Sequence, residues 1–130
     1  MKTLLILLTL VVSTTVFSQK QNVYQLLQGK WQSLDDKSNI LWFDKDHRKE
    51  FAAGMRAWDD EMYVLSNACK NTSDKESEMP LETDKYISVA KSDMCWYIEK
   101  LTPTTLELSY VGRGNTLVYK KVVTVKRKKK

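Results

Sequence analysis

The chain contains a single histidine, and the residues around it are the first candidates for chemistry. His47 lies in a charged segment, with Asp44, Asp46 and Glu50 close by in the sequence. A histidine beside carboxylates could act as an oriented base or as a metal ligand, but the first role requires a nucleophile and the second requires further ligands. The sequence indicates neither, so we interpret His47 as a solvated turn residue.

Two other short motifs resemble functional loops only in part. Asp59-Asp60-Glu61 lacks the spaced ligands and the glycine of a calcium-binding loop. Gly112 and Gly114 flank an arginine, but no helix is expected after them, and a phosphate-binding loop requires one. We therefore predict that the protein is not an enzyme, and we expect neither a cofactor nor a metal.

The first eighteen residues have the features of an export signal. Lys2 precedes the apolar segment 4–12, and Val16 and Ser18 supply small residues at the two positions that a signal peptidase reads. We predict that residues 1–18 are a signal peptide, cleaved after Ser18, and that the product is periplasmic or secreted. A membrane anchor is the alternative, but the apolar segment is short for a bilayer.

Two cysteines, Cys69 and Cys95, remain after the predicted cleavage. An even number of cysteines in a small exported domain favours one disulfide, because the compartment is oxidising and the core is small. Two buried thiols or a metal pair are the alternatives. A metal pair would require more cysteines or histidines than this chain contains.

Positive charge is concentrated at the C-terminal end. The chain has 21 basic and 16 acidic residues, and residues 126–130 are all basic. We interpret this tail as a solvated, disordered end, and a contact with an anionic envelope surface is the alternative. The remaining sequence lacks a basic surface with interleaved aromatic residues, so we expect no nucleic-acid partner. We also expect a monomer.

Apolar and polar residues alternate along most of the chain, as in antiparallel strands. The clearest case is the stretch 95–120, where a Thr-Pro-Thr turn and a Gly-Arg-Gly-Asn turn separate three such runs. Five earlier candidate strands cover residues 29–34, 40–43, 48–55, 61–69 and 84–91, and a short amphipathic helix precedes them in residues 19–28.

This count predicts an all-β fold for residues 19–125. Eight antiparallel strands joined by short turns can bury their apolar faces, and remove their exposed edges, by closing into an up-and-down barrel. The sequence therefore predicts an eight-stranded antiparallel barrel with one short N-terminal helix.

The segment Gly29-Lys30-Trp31 follows the helix and begins the first strand, and it resembles the Gly-x-Trp signature of lipocalins. Together with the cysteine pair and the segments 95–98, 101–102, 106–108 and 112–120, it is similar to small exported lipocalin-like domains common in Bacteroidota. The resemblance implies that Trp31 closes one barrel end and that a cation of the last strand packs over its ring. That cation is an arginine in lipocalins, and here the position falls on Lys120 or Lys121, which lack the flat guanidinium.

A lipocalin-like barrel implies a ligand cavity, so the aromatic residues expected to face inward are the candidate ligand contacts. These are Trp42, Phe51, Trp96, Tyr110 and Tyr119. The cations nearest strand ends are Arg48, Arg56 and Arg113, and one of them, with Arg113 favoured by its glycine-flanked turn, could orient an anionic head group. Otherwise the arginines are surface charges and the aromatic rings fill the interior as core.

The predicted function follows from the fold and its resemblance. We predict an exported lipocalin-like protein that binds a small apolar or amphipathic molecule in the barrel mouth. The alternative is an interaction module with a filled barrel, such as an envelope inhibitor or an immunity-like factor. That module would use the outside of the barrel or the polar loop 70–83.

Overall fold

One short helix and nine β-strands make up the part of the chain that the computed structural model describes, residues 22–75 and 82–123. Helix α1 spans Val23–Leu27. The strands are β1 (Gly29–Ser33), β2 (Ile40–Asp44), β3 (His47–Phe51), β4 (Asp59–Met62), β5 (Val64–Ser66), β6 (Tyr86–Val89), β7 (Met94–Leu101), β8 (Thr105–Tyr110) and β9 (Thr116–Lys121). The predicted signal peptide, residues 1–18, and the predicted tail, residues 126–130, lie outside the described residues.

Helix α1 begins with a reciprocal cap. The Asn22 side chain accepts a hydrogen bond from the Gln25 backbone at 2.8 Å, and the Gln25 side chain accepts one from the Asn22 backbone at 3.4 Å. A helix this short is unstable alone, so its stability depends on Leu27, which is fully buried. No helix in residues 22–75 or 82–123 has the length and apolar character needed to cross a bilayer.

The nine described strands form one antiparallel sheet in the order β4-β3-β2-β1-β9-β8-β7-β6-β5. The first and last of these described strands pair with each other, with Trp31 opposite Lys121 and Ser33 opposite Tyr119. The two edges of the sheet are β4 and β5, which are consecutive in the chain. Because one residue joins these edges, the sheet curls into a nearly closed barrel.

The predicted number of eight strands is wrong by one, and the difference lies in the candidate strand 61–69. The chain pairs with β3 as far as Met62 and with β6 from Val64 onward. Between them, Tyr63 is buried, and its backbone N–H donates at 2.9 Å to the Asp46 carbonyl. Met62, Tyr63, Val64 and Leu65 are all apolar, so no turn residue marks this change of partner in the sequence.

Alternating side chains fill most of the barrel interior. Its core contains Leu27, Trp31, Leu41, Phe43, Tyr63, Ile87, Val89, Trp96, Ile98, Leu106, Leu108 and Tyr119. Burial of each large apolar side chain stabilises the fold by about 1.5–3 kcal/mol relative to exposure. The nearly closed sheet removes all of these side chains from water together.

A second, smaller cluster lies on the outer face of β6 and β7. It contains Tyr86, Val111 and the two cysteines, whose sulfur atoms are 2.06 Å apart in a disulfide. The disulfide ties the segment after β5 to β7, as predicted. It is compatible with an oxidising, exported location.

Candidate ligand-binding site

The barrel end next to α1 is closed. Trp31 is 0% exposed, and its indole N–H donates to the Leu27 carbonyl at 2.8 Å. The Lys121 Nζ lies 4.5 Å from the centroid of the Trp31 ring and also donates to the Gln28 carbonyl. Partial burial lowers the pKa of Lys121. Lys121, rather than Lys120, therefore occupies the position over the tryptophan.

Gly29 makes this closure sterically feasible. Its φ of +110° is rarely adopted by residues with a side chain, and a Cβ at this position would lie 2.8 Å from the Lys121 Nζ. The glycine therefore gives Lys121 space to reach the carbonyl of Gln28. This contact supplies a physical reason for a glycine two residues before the tryptophan.

The end of the barrel away from α1 contains a cavity of about 230 Å³. Strand β1 leaves the helix at Gly29 and ends at Ser33, and Ser33 lines the cavity beside Tyr119. One wall of the cavity is apolar and aromatic, formed by Met94, Trp96, Tyr110, Leu117 and Tyr119. Trp96 and Tyr110 pack edge to face, with ring centroids 5.7 Å apart.

Arg48 is the central residue of the polar wall, and it packs directly against the aromatic one. Its guanidinium carbon lies 4.2 Å from the Trp96 ring centroid, and its Nη2 lies 3.2 Å from a Glu50 carboxylate oxygen. Arg48 is only 7% exposed, and its buried Nε has no hydrogen-bond partner among the described residues. The structure thus places this arginine inside the barrel, where a surface charge was the default expectation.

Three carboxylates share the polar wall with Arg48. Glu61 lies opposite Arg48 across the β3–β4 pair, and Asp59 lies opposite Glu50. Glu61 is 8% exposed and accepts a hydrogen bond from the Ser92 hydroxyl at 3.0 Å. Carboxylates therefore outnumber the single guanidinium on this wall.

Tyr119 and Asn39 add a phenol and an unpaired amide oxygen to the cavity lining. Burial raises the pKa of the Tyr119 phenol, and this effect exceeds the opposing influence of Arg48. Asn39 lines the cavity, and its buried Oδ1 has no donor within the described part of the chain. The site thus combines aromatic surface with unsatisfied hydrogen-bonding atoms, a combination typical of sites that orient a small molecule.

The structure brings three of the five predicted aromatic residues together. Trp96, Tyr110 and Tyr119 line the cavity. Trp42 and Phe51 lie on the outer face, so their predicted inward orientation is wrong. On β2 the buried positions are Leu41 and Phe43, and the intervening side chain must point outward.

Trp42 and Phe51 belong to an outer aromatic cluster centred on Trp58. The Trp58 ring centroid lies 5.6 Å from that of Trp42 and 5.5 Å from that of Phe51. The Nζ atoms of Lys30 and Lys49 lie 4.7 and 4.4 Å from the Trp42 ring centroid. We refer to these five residues as the outer aromatic cluster.

The remaining candidates lie outside the cavity. Arg113 is exposed, and its guanidinium carbon lies 5.0 Å from the Tyr110 ring centroid, beside a shallow surface depression. Arg56 is also exposed. The His47 Nδ1 lies 2.8 Å from a carboxylate oxygen of Asp60, rather than from any of the three carboxylates expected near it. Within the described ranges, no three or more potential ligands form a metal site.

Sequence reasoning missed Glu50, Asp59 and Glu61 as cavity residues. Their strands carry charged residues on both faces, so the alternation that identifies an inner face is absent there. The available signal is the pairing of β3 with the neighbouring strand β2. Once Leu41 and Phe43 are taken as the inner positions of β2, antiparallel pairing places Glu50 and Arg48 on the same inner face.

Comparisons with known proteins give no match to this chain. No family model matches its sequence, no curated protein is similar to it, and no solved structure resembles it. The similarity to lipocalins therefore remains a prediction.

Proposed function

We propose that this protein is an exported, lipocalin-like binding protein that holds a small amphipathic molecule in the open end of its barrel. The observation that carries the proposal is the cavity itself, whose lining combines aromatic side chains with polar side chains around Arg48. Apolar pockets with a few convergent polar groups are the usual form of small-molecule sites.

The size of the cavity limits the ligand. Its volume of about 230 Å³ lies below the roughly 300–1,000 Å³ of most ligand pockets. The core side chains between Trp31 and Trp96 occupy the rest of the interior, so a long acyl chain or a macrocycle has no space. A single-ring compound or a short aliphatic chain fits this description best.

Isothermal titration calorimetry with a panel of small amphipathic compounds tests the proposal. Leu117 lines the cavity, whereas Val118 is the next residue of β9 and points to the outer face. We expect saturable binding to the native protein and to Val118→Phe, and its loss in Leu117→Phe, whose larger ring fills the cavity. Binding that survives Leu117→Phe, or a panel without any binder, would contradict the proposal.

Export is the second part of the proposal. The disulfide between Cys69 and Cys95 is favoured in an oxidising compartment, and residues 1–18 have the pattern of a signal peptide. Mass spectrometry of the mature protein should show cleavage after Ser18 and a mass two hydrogens below that of the reduced form. An intact N-terminus, or two titratable thiols in each chain, would contradict it.

The outer aromatic cluster favours a second candidate function, an interaction module for another envelope protein. Trp58 is 37% exposed, and aromatic residues are enriched in protein interfaces. Under this alternative, a partner that co-purifies with the native protein is lost in Trp58→Ser and retained in Leu117→Phe. A partner that is retained in Trp58→Ser and lost in Leu117→Phe would favour the cavity as the binding site.

A further inference from the structure

We propose that the molecule held in the open end is a small, uncharged carboxamide, whose carbonyl oxygen accepts the Arg48 Nε–H and whose N–H donates to the Asn39 Oδ1. This inference rests on the proposed function and names the ligand class of the same cavity. The structure supports it because one unpaired donor and one unpaired acceptor, both buried, belong to residues that line that cavity.

The Arg48 side chain sets the first requirement for the ligand. This side chain is 8% exposed, and its Nη2 lies 3.2 Å from a Glu50 carboxylate oxygen. Its buried Nε–H has no acceptor among the described residues. A buried donor without an acceptor destabilises a structure, so a ligand that brings a hydrogen-bond acceptor recovers this free energy when it binds.

The charges around Arg48 select a neutral acceptor. Glu61 lies directly opposite Arg48 across the β3–β4 pair, and Glu50 is its ion-pair partner, so two carboxylates already flank one guanidinium. These carboxylates would repel an anionic ligand. An ammonium or amidinium ligand offers only donors, and a donor cannot pair with an N–H. A carbonyl oxygen supplies the acceptor without adding charge.

Asn39 sets the second requirement. It immediately precedes β2 and lines the cavity, and its buried Oδ1 has no donor in the described part of the chain. A ligand that carried acceptors alone would leave this oxygen unpaired. An amide with an N–H carries a donor and an acceptor on one planar group, so it offers a partner to both residues.

The apolar lining determines where the rest of the ligand packs. Trp96 is 2% exposed and Arg48 covers a face of its ring, so Trp96 offers little contact surface. Met94, Tyr110 and Leu117 line the same cavity and are partly exposed. A small apolar group attached to the amide packs against these three side chains. The cavity of about 230 Å³ limits that group to one ring or a short chain.

Ligand binding requires small movements of Arg48 and Asn39. Both unpaired atoms are shielded from solvent in the structure, and the Arg48 guanidinium carbon lies 4.2 Å from the Trp96 ring centroid. Rotation of the two side chains turns the Nε–H and the Oδ1 towards the cavity that both residues line. Changes of side-chain rotamer are common on binding, even where the backbone does not move.

Titration of the full-length protein with four probes of one shape, followed by nuclear magnetic resonance, tests the inference. The probes are benzamide, acetophenone, benzoate and benzamidinium, which differ in the planar group on one ring. We expect benzamide to bind most tightly, and acetophenone, which lacks the N–H, about fivefold more weakly. Benzoate and benzamidinium should each bind roughly tenfold more weakly than benzamide. Any other probe that binds as tightly as benzamide overturns the inference.

The Arg48 Nε–H reports the contact directly, without any substitution. Benzamide and acetophenone should both move its proton resonance downfield in proton–nitrogen correlation spectra, because both supply a carbonyl acceptor. Arg113 is exposed and does not line the cavity, so its Nε–H resonance should not move. Benzamide binding that leaves the Arg48 resonance in place overturns the inference, since the amide would then bind elsewhere.

Asn39→Ala isolates the second hydrogen bond. It should weaken benzamide binding about fivefold and leave acetophenone binding unchanged. Asn115→Ala is the matched control, because Asn115 is exposed and lies outside the cavity lining, and it should bind both probes as the native protein does. Equal loss of both probes in Asn39→Ala, or no loss of benzamide, overturns the inference. If Asn39→Ala fails to fold, the comparison of benzamide with acetophenone in the native protein decides.

Failure of this inference is distinguishable from failure of the proposed function. If none of the four probes binds, but other members of the amphipathic panel bind in a manner sensitive to Leu117→Phe, the amide class is wrong and the ligand-binding barrel stands. If no member of the panel binds, the proposed function is wrong as well.

Discussion

The two ends of the barrel contain the same contact, a cation on the face of a tryptophan, yet the contact has different consequences. At the closed end, Lys121 lies 4.5 Å from the Trp31 ring centroid and donates to a backbone carbonyl. At the open end, Arg48 lies 4.2 Å from the Trp96 ring centroid, but its Nε remains without an acceptor in the described structure. A satisfied cation closes the first end, and an unsatisfied cation borders a cavity at the second.

The surroundings of the two cations explain this difference. Helix α1 covers the closed end, where the Leu27 carbonyl accepts the Trp31 indole N–H. No helix covers the open end in the described structure, and the Arg48 guanidinium there has a carboxylate, that of Glu50, as its hydrogen-bond acceptor rather than a backbone carbonyl. The satisfied buried contacts are thus concentrated at one end, and the unsatisfied buried groups Arg48 Nε and Asn39 Oδ1 lie at the other.

Truncating one buried side chain at each end gives the largest expected contrast. Trp31→Ala removes a fully buried ring and its hydrogen bond, and should lower the free energy of unfolding by about 3–5 kcal/mol. Leu117→Ala enlarges a cavity that already exists around a partly exposed residue, and should cost about 1–2 kcal/mol. Urea denaturation followed by far-ultraviolet circular dichroism measures both values. Equal losses would show that the open end is packed as tightly as the closed one.

A smaller effect is expected at Gly29. Gly29→Ala places a side chain at an unfavourable φ of +110° and brings its Cβ close to the Lys121 Nζ. It should lower the free energy of unfolding by about 2 kcal/mol. Gly54→Ala is the matched control because its φ of +87° is also positive, but no atom lies within 4 Å of the added Cβ, and it should cost about 1 kcal/mol. The difference between the two variants, measured by thermal or urea unfolding, reports the contact with Lys121. If the two variants lost equal stability, Lys121 would move away from the added Cβ without consequence for closure.

The closed end could be predicted from the sequence to a greater extent than the open end. The pairing of Trp31 with the last strand follows from alternation and the closure requirement. The disulfide at Cys95 lies beside the cavity residues Met94 and Trp96, and it follows from the number of cysteines and the predicted export. Local pattern is sufficient for these features because glycine, tryptophan and cysteine have strong individual preferences.

The open end depends on non-local pairing, which the sequence pattern does not reveal. Arg48 and Glu50 face inward because β2 places Leu41 and Phe43 there, not because of any feature of their own segment. The same register places Trp42 outward, against the expectation that an aromatic residue in an apolar run is inside. Charged residues in a barrel interior depart from ordinary hydrophobic patterning, and such departures are typical of functional sites.

A further effect concerns the β4–β5 junction, and it is confined to alkaline pH. Burial raises the pKa of Tyr63 from 10.0 to about 12, and the hydrogen bond from Gln28 opposes this only in part. Between pH 10.0 and about 12, the phenol has lost its proton in the unfolded state but retains it in the folded state. The folded state then binds more protons, so the free energy of unfolding falls as the pH rises through this window. Tyr63→Phe removes the ionisation, and its stability should decline less steeply than that of the native protein between pH 10 and 12.

Tyr119→Phe extends this measurement to the open end, because burial also raises the pKa of Tyr119. The stability of this variant should also decline less steeply than that of the native protein as the pH rises, as measured by urea unfolding at several pH values. Absorbance titration of the native protein at the phenolate band provides an independent reading, since the buried phenols should ionise last. If Tyr63→Phe declined as steeply as the native protein, the phenol must ionise before global unfolding, and the junction between the two sheet edges would have to open first. The gap in the barrel would then be its weakest point, rather than the end that contains the cavity.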